Sequence, residues 1–121
     1  MGPDTHIWDV RRLVRLAMAE PVIDLPLSAL AELDENWWYD APEAVATPRS
    51  VAAHMRLVQA ADLSFPIILS ADGRLMDGMH RAVKALVEGR RSIAAIRLSR
   101  TPPPDYVNVA LDQLPYDEAD Q

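Results

Sequence analysis

The sequence predicts a small α+β domain, in which a short mixed β-sheet is flanked by about three helices. The clearest pattern lies in residues 66–98, where apolar runs and turn residues alternate in the order strand, turn, strand, helix, strand. Two other segments, 4–19 and 48–61, have the apolar spacing of amphipathic helices. The chain has 121 residues, of which 50% are apolar, so one domain can bury a core of its own.

The amino-terminal segment is predicted to form a helix from Asp4 to Ala19, with Thr5 as its capping residue. The apolar residues that share one face of this helix are Ile7, Val10, Val14 and Ala17. Such a stripe usually packs on the protein's own core, although it can also bind a partner. We therefore expect residues 1–21 to form a helical extension that covers the sheet of a domain at 22–100.

An entry strand is predicted from Val22 to Leu27, and a short helical turn from Ser28 to Leu33. The next segment is a loop with three aromatic residues, Trp37, Trp38 and Tyr39. One ring could stack on a nucleobase, or the rings could instead fill gaps between the amino-terminal helix and the sheet or pack against a partner. Packing is favoured, because no basic residues alternate with the rings.

A second helix is predicted to begin at Thr47 and Pro48, a capping residue followed by the residue that favours the first helical position. It is predicted to end near Ala61, with a buried stripe that consists of Val51, Met55 and Val58. The three histidines of the chain are His6, His54 and His80. Their spacing is not that of metal ligands, so no histidine-based metal site is predicted.

Strands are predicted over 65–69, 74–76 and 92–98, and a helix over 79–88 that ends at Gly89 in a left-handed C-cap. Three consecutive prolines follow at 102–104 and predict a stiff, extended connector. Tyr106 to Leu111 is predicted to be an edge strand or an extended arm, and the acidic end is predicted to be disordered. Residues 101–121 thus form a Pro-rich connector and an acidic carboxyl-terminal arm.

A group of residues suited to binding chemistry stands where a strand passes into a helix: Asp77, Gly78, His80 and Arg81. The first N–H groups of a helix have no partners within it, and the helix dipole adds a partial positive charge there. Gly78 lets a ligand approach the backbone, while His80 and Arg81 add donors, so the group has the features of a phosphate or carboxylate site. The same residues also fit an ordinary helix start that Asp77 caps, with Arg81 in solvent.

The stretch PIILSADGRLMDGMHRAVKALVEGRRSIAAIRL, residues 66–98, resembles the ParB/sulfiredoxin-like domain family, also described as the ParB N-terminal or ParB-like nuclease domain. Its members commonly carry D-G-x-H-R or G-C-H-R between a short strand and a helix. The similarity reaches back to the entry strand at Val22. It implies a ParB/sulfiredoxin-like fold that binds nucleotide phosphates, often with Mg²⁺. The resemblance assigns binding to Gly78, Met79, His80 and Arg81, the metal to Asp77, and catalysis to Asp77 and His80.

Three departures from branches of this family narrow the expected activity. Sulfiredoxins carry a reactive cysteine where this chain has Met79, and the chain contains no cysteine, so thiolate chemistry is excluded. Chromosome-segregation ParB proteins continue into a helix-turn-helix region, for which this chain is expected to be too short. Two-metal nucleases gather several carboxylates, whereas the motif offers Asp77 alone, so a nuclease is the less expected activity.

The charge of the chain is unevenly distributed. The net charge is −6 overall, but residues 66–101 contain seven basic and three acidic side chains, a local charge of +4. An acidic surface disfavours non-specific binding to DNA, whereas a basic segment suits a small anionic ligand. No apolar run approaches the roughly 18–20 residues of a membrane span, and the start has no signal-peptide pattern. We therefore expect a cytoplasmic protein that does not associate with membranes.

Two functions remain as expectations. The first is a nucleotide-binding protein that uses Mg²⁺ with a nucleoside triphosphate, ATP or CTP, and that hydrolyses or transfers a phosphate group. The second is a non-catalytic interaction or regulatory module with a degenerate site, associated with a DNA-binding partner. In the second case a protein partner or a second copy would bind at Trp37, Trp38 and Tyr39 or at the carboxyl-terminal arm. The sequence leaves open whether any reaction occurs.

Overall fold

A computed structural model describes residues 6–107 and confirms the α+β class. In chain order its main elements are β1 (His6–Ile7), α1 (Val10–Ala17), β2 (Ile23–Pro26), α2 (Pro48–Ala60), β3 (Ile67–Leu69), β4 (Leu75–Asp77), α3 (Met79–Val87), β5 (Ser92–Arg97) and β6 (Tyr106–Val107). Two short 3-10 turns, Leu27–Ala29 and Ala31–Asp34, follow β2. Among the described residues no helix has the length and apolar character needed to cross a membrane.

Four strands form one mixed sheet in the order β2-β5-β3-β4. Strand β5 pairs antiparallel with β2 and parallel with β3, and β4 pairs antiparallel with β3. Because β3 and β5 are parallel, the chain must cross over between them, and it does so through β4 and α3. Helix α3 ends as predicted, at Gly89 with a φ of 74°. The crossover brings the start of α3 to the end of the edge strand β4, where the candidate site residues lie.

The two faces of the sheet carry two separate sets of buried side chains, because neighbouring residues of a strand point to opposite sides. The set that joins the sheet to α3 includes Ile67, Leu69, Met79, Ala82, Ala85, Ile93 and Ala95. The set that joins the sheet to α1 consists of Leu13, Ala17, Ile68, Ile96 and Leu98. The sheet thus lies between α1 and α3, and the predicted packing of the amino-terminal helix on the sheet is confirmed.

The amino-terminal helix is shorter than the sequence predicts, since it spans only Val10–Ala17. The carboxylate of Asp9 accepts a hydrogen bond from the backbone N–H of Arg11 at 2.9 Å and so caps the helix at this point. Ile7 belongs to β1, so its predicted place on the helix is wrong. The predicted cap, Thr5, lies outside the described residues.

The face of α1 that packs on the sheet also differs from the prediction. Leu13 and Ala17 are buried, whereas Val14 is 44% exposed. The difference arises because part of the predicted stripe, Val10 and Val14, lines a cleft beside the sheet instead of packing on it. An apolar stripe read from spacing alone therefore included side chains with two different surroundings.

The second helix confirms its predicted start but not its predicted buried stripe. The Oγ1 atom of Thr47 accepts a hydrogen bond from the backbone N–H of Ser50 at 3.1 Å, and Pro48 is the first helical residue. Val51 and Met55 are 42% and 56% exposed, so their predicted burial is wrong. The half-buried residues of α2 include Ser50, His54 and Val58, which are four positions apart and therefore share one face of the helix. Helix α2 thus packs on α3 through a partly polar surface.

The two ends of the described chain meet. Strands β1 and β6 form a separate two-stranded antiparallel ladder, so Tyr106–Val107 does not extend the main sheet as an edge strand. The indole Nε1–H of Trp8 donates to the carbonyl of Pro102 at 2.9 Å, and Arg12 Nη1 donates to Asp105 Oδ1 at 2.8 Å. The Pro-rich connector is therefore attached to the amino-terminal segment, while the remainder of the predicted arm lies outside the described residues.

Candidate functional site

The turn between β4 and α3 consists of a single residue, Gly78. Its backbone is left-handed (φ 110°, ψ 26°), a conformation that residues with a side chain rarely adopt. A Cβ atom at this position would lie 2.6 Å from Ile67 Cγ2, so glycine is also needed for packing on β3. Gly78 occupies the N-cap position and no described side chain caps α3, so the alternative in which Asp77 caps the helix is wrong. The first N–H groups of α3 are therefore left to a ligand or to water.

Asp77 and Arg81 form an ion pair across this turn, with 2.6 Å between Asp77 Oδ2 and Arg81 Nη2. The other terminal nitrogen of Arg81, Nη1, donates to the carbonyls of Phe65 at 3.2 Å and Pro66 at 2.7 Å. The side chain is thus largely buried, not solvated as the alternative interpretation held. A guanidinium has about five N–H donors, so about two of those on Arg81 have no partner among residues 6–107.

A cleft of about 800 Å³ runs beside the start of α3. All of the residues assigned to the site line it, namely Asp77, Gly78, Met79, His80 and Arg81. Met79 is only 7% exposed, because its side chain belongs to the core. The remaining lining is mostly apolar and comes largely from α1 and the segment before β3: Val10, Val14, Ala17, Met18, Phe65 and Pro66. Asp62 adds a second carboxylate to the lining.

His80 contacts a second histidine, His54 of α2. The two rings are joined at hydrogen-bond distance, 3.0 Å between His54 Nδ1 and His80 Nε2. The indole of Trp38 stacks on both rings, with centroid distances of 4.1 Å to His54 and 5.0 Å to His80. Tyr39 meets the His54 ring edge-on at 5.8 Å. Trp38 and Tyr39 therefore pack inside the fold as predicted, but against His54 and His80 instead of between the amino-terminal helix and the sheet, while Trp37 is 38% exposed.

Burial lowers the pKa of His80 below its ordinary value of 6.5, and the neighbouring His54 lowers it further. The unfolded chain takes up a proton near that ordinary value, whereas the folded protein does so only at a lower pH. His80 therefore contributes stability above pH 6.5 that is lost as the pH falls through its folded pKa. We expect the Tm of the wild type to fall more steeply than that of His80→Phe between about pH 7.5 and 5.5, measured by thermal unfolding. Parallel profiles would contradict this expectation.

The sequence analysis did not predict His54 or Asp62 as site residues, and it considered Trp38 only as a ring that packs, stacks on a base or contacts a partner. His54 and His80 are 26 positions apart, and they meet only because α2 packs on α3. The one available signal was the repeat of Ser50, His54 and Val58, which share a helix face. That signal does not show which element covers the face.

Comparisons of the chain with models of known protein families, with curated proteins and with solved structures gave no significant match. The function of the cleft is therefore inferred from its residues and its geometry.

Proposed function

We propose that the chain is a nucleotide-binding protein of the ParB/sulfiredoxin-like type, whose cleft holds phosphate groups at the start of α3. The observation that carries the proposal is that one cleft combines an uncapped helix start with an apolar lining. A nucleotide has two parts that complement these features. Its anionic phosphate chain suits the helix start, and its flat base with apolar faces suits the apolar lining. The resemblance of residues 66–98 to that family supports the same assignment.

The phosphate end of the proposed site is centred on Gly78, because the missing side chain leaves the first N–H groups of α3 open to an anion. Arg81 lines the cleft and keeps about two N–H donors without a described partner. Its ion pair with Asp77 already orders the guanidinium, so little side-chain entropy is lost on binding. His80 adds a ring nitrogen to the same end of the cleft.

The base and ribose of a nucleotide need an apolar surface. Side chains from α1 and from the segment before β3 provide it. Val14, Met18 and Phe65 are 44%, 80% and 63% exposed, and all three line the cleft. Exposed apolar side chains gathered in a concave surface are typical of a ligand site. The cleft volume of about 800 Å³ also lies within the roughly 300–1,000 Å³ of small-molecule sites.

Mg²⁺ with ATP or CTP is the proposed cofactor, and the residues of the cleft fit it if the phosphates supply most of the ligands. Proteins usually bind Mg²⁺ through one or two carboxylates together with substrate phosphates. Asp77 and Asp62 are the carboxylates of the lining, and Asp77 Oδ1 accepts no hydrogen bond from a described residue. Within residues 6–107 no three His, Cys, Asp or Glu side chains form a metal-binding group. When bound, the ion would neutralise phosphate charge.

A reaction at the phosphate, either hydrolysis or transfer, would use Asp77 and His80. The lowered pKa of His80 keeps its imidazole neutral near pH 7 before a ligand binds, and its ring would act on the bound phosphate as a hydrogen-bond donor that stabilises the developing charge. Asp77 would orient that group or the Mg²⁺ ion. Such chemistry depends mainly on positioning and charge neutralisation, the contributions that Asp77, His80 and Arg81 would make in this cleft.

Thermal unfolding with ATP, CTP or GTP and Mg²⁺ tests the binding proposal directly. A nucleotide at about a hundred times its Kd stabilises the folded state by roughly 2.7 kcal/mol, which raises the Tm by several degrees in a domain of this size. We expect this rise in the wild type for at least one nucleotide, and its loss in Arg81→Ala. Each Tm is compared with that of the same variant without nucleotide, because Arg81 also bonds Asp77 and Pro66.

Arg56→Ala is the matched control, since Arg56 is an exposed arginine of α2 that is not part of the cleft lining. This variant is expected to keep the full nucleotide-induced rise in Tm. The proposal fails if no nucleotide stabilises the wild type. An equal rise in the wild type and in Arg81→Ala would place the nucleotide elsewhere on the molecule.

A second candidate, the non-catalytic interaction module, is favoured by exposed apolar side chains on α2. Val51 and Met55, one helical turn apart, are 42% and 56% exposed, and Trp37 leaves one ring of the aromatic loop accessible. Apolar side chains that a protein leaves uncovered are often contacts for another chain. If no nucleotide stabilises the protein, this surface is where a protein partner or a second copy would be sought.

A further inference from the structure

The pair formed by His54 and His80 links the cleft to α2. His80 lines the cleft, whereas His54 is not part of the lining and contacts His80 from α2. The indole of Trp38 covers both rings, at interplanar angles of 11° to His54 and 20° to His80. The two imidazoles are therefore held in a defined arrangement by a hydrogen bond and by stacking.

A hydrogen bond between two ring nitrogens needs one proton and one lone pair. Two fully protonated rings have no lone pair to share, so this contact lets the pair carry one positive charge and not two. The bond occupies Nε2 of His80, which leaves Nδ1 as the nitrogen of that ring that has no partner among the described residues. No fully buried side-chain nitrogen or oxygen of the described chain lacks a partner, so Nδ1 of His80 is not fully buried.

We propose that His54 is a positioning residue of the phosphate site, and that the His54–His80 pair takes up one proton when a phosphate group binds in the cleft. This inference rests on the proposed function. In the bound form His80 is an imidazolium that donates Nδ1–H to a phosphate oxygen and Nε2–H to Nδ1 of His54. His54 stays neutral and keeps its own proton on Nε2. One proton is gained from solvent, and no covalent bond is made or broken.

The charges around the pair explain why the proton arrives with the ligand. Burial and the neighbouring His54 ring disfavour a positive charge on His80 before a ligand binds, while Asp77 and Arg81 neutralise each other in their ion pair. Asp62 in the lining and Lys84 on α3 are the other charged groups nearby, and Lys84 is held by the carbonyls at the end of α2. Tyr39 and Trp38 cover the rings with uncharged groups. An incoming dianion supplies the negative charge that stabilises the imidazolium.

NMR titration of the full chain, with and without sulfate, tests the inference. Sulfate is the probe because it mimics phosphate but does not itself titrate between pH 5 and 9. Without sulfate we expect the midpoint of His80 to lie below its ordinary value of 6.5, because the ring is partly buried beside His54. With saturating sulfate we expect the midpoint of His80 to rise by about one unit, which corresponds to tenfold tighter proton binding. His6, which is not in the cleft lining, is the internal control and should not move.

His54→Phe keeps a ring for Trp38 to stack on and removes the ring nitrogens, so it isolates the hydrogen bond. We expect it to weaken sulfate binding at pH 7 by about tenfold and to abolish most of the sulfate-induced rise of the His80 midpoint. His54→Gln retains a hydrogen-bonding group. It should therefore bind sulfate more tightly than His54→Phe and show part of the sulfate-induced rise of the His80 midpoint. Comparison of these two variants tests whether His54 positions His80. Unchanged resonances of His6 in both variants would exclude a general loss of the fold.

The outcomes separate this inference from the proposed function. If nucleotide or sulfate binds but the His80 midpoint does not change, or changes equally in His54→Phe, the inference is overturned and the phosphate site stands. Titration of His80 at its ordinary value of 6.5 in the absence of sulfate would overturn it as well. If neither sulfate nor any nucleotide binds, the proposed function fails and the proton uptake with it.

Discussion

Replacement of Gly78 by alanine is expected to lower the free energy of unfolding by about 3 kcal/mol. A residue with a side chain costs roughly 1–2 kcal/mol in a left-handed conformation, and Gly78 has a φ of 110°. The new Cβ would lie 2.6 Å from Ile67 Cγ2, and overpacking of a core typically adds about 1–3 kcal/mol. Urea unfolding of both proteins measures the difference, and the Tm should fall by roughly 10 °C or more.

Gly89→Ala is the matched control for this variant. Gly89 also has a positive φ, 74°, but a Cβ there would meet no atom within 4 Å. Gly89→Ala is therefore expected to lower the free energy of unfolding by the backbone cost alone, roughly 1–2 kcal/mol. If the two substitutions destabilised the protein equally, the contact between the β4–α3 turn and Ile67 would not contribute to stability. The difference between the two losses of stability thus measures how closely the start of α3 packs against Ile67 of β3.

Replacement of Glu32 by alanine is expected to destabilise the protein by about 3 kcal/mol. Glu32 is only 2% exposed, and its carboxylate accepts a hydrogen bond from the backbone N–H of Leu75 in β4. Without the carboxylate this buried N–H would have no partner, which costs roughly 1–3 kcal/mol, and the empty volume adds to the loss. Urea unfolding measures the effect. Glu32→Gln should lose less, because its amide oxygen can still accept from Leu75.

Glu35→Ala provides the comparison for Glu32, because both carboxylates contact Arg74. Glu35 forms two hydrogen bonds with the Arg74 guanidinium, at 3.0 Å and 2.8 Å, but its side chain is 42% exposed. Water replaces such a surface contact readily, so only a small change in stability is expected. Equal losses in Glu32→Ala and Glu35→Ala would show that the contact with Arg74 matters more than the bond to Leu75.

The order of helices and strands followed from local patterns in the sequence. Thr47 and Pro48 predicted the start of α2, and Gly89 predicted the end of α3, because capping and positive φ depend on residues only a few positions apart. The apolar run at 65–69 predicted a strand, which the structure forms over the shorter range Ile67–Leu69. The start of α1 was misplaced, since Ile7 fits an apolar helical stripe but pairs with β6 at the other end of the described chain.

The predicted burial of individual helix faces was less reliable. Val51 and Met55 have the spacing of a buried stripe, yet the face of α2 that contacts α3 carries Ser50 and His54. The same problem arises at Glu32, because a glutamate is normally expected at the surface. Its burial depends on the backbone of Leu75, 43 positions further along the chain. Neither outcome is encoded in the residues adjacent to these positions.

The sequence by itself determined the α+β class, the order of the elements from α1 to β5 and the contiguous group at 77–81, because each depends on neighbours within a few residues. Only the tertiary structure decided which other groups meet that segment: the apolar lining from α1, the carboxylate of Asp62, and His54 beneath Trp38. The physical reason is that docking of α2 on α3 and of α1 on the sheet depends on the summed packing of many side chains distant in sequence. No pattern of neighbouring residues in the sequence predicts how those distant side chains pack together.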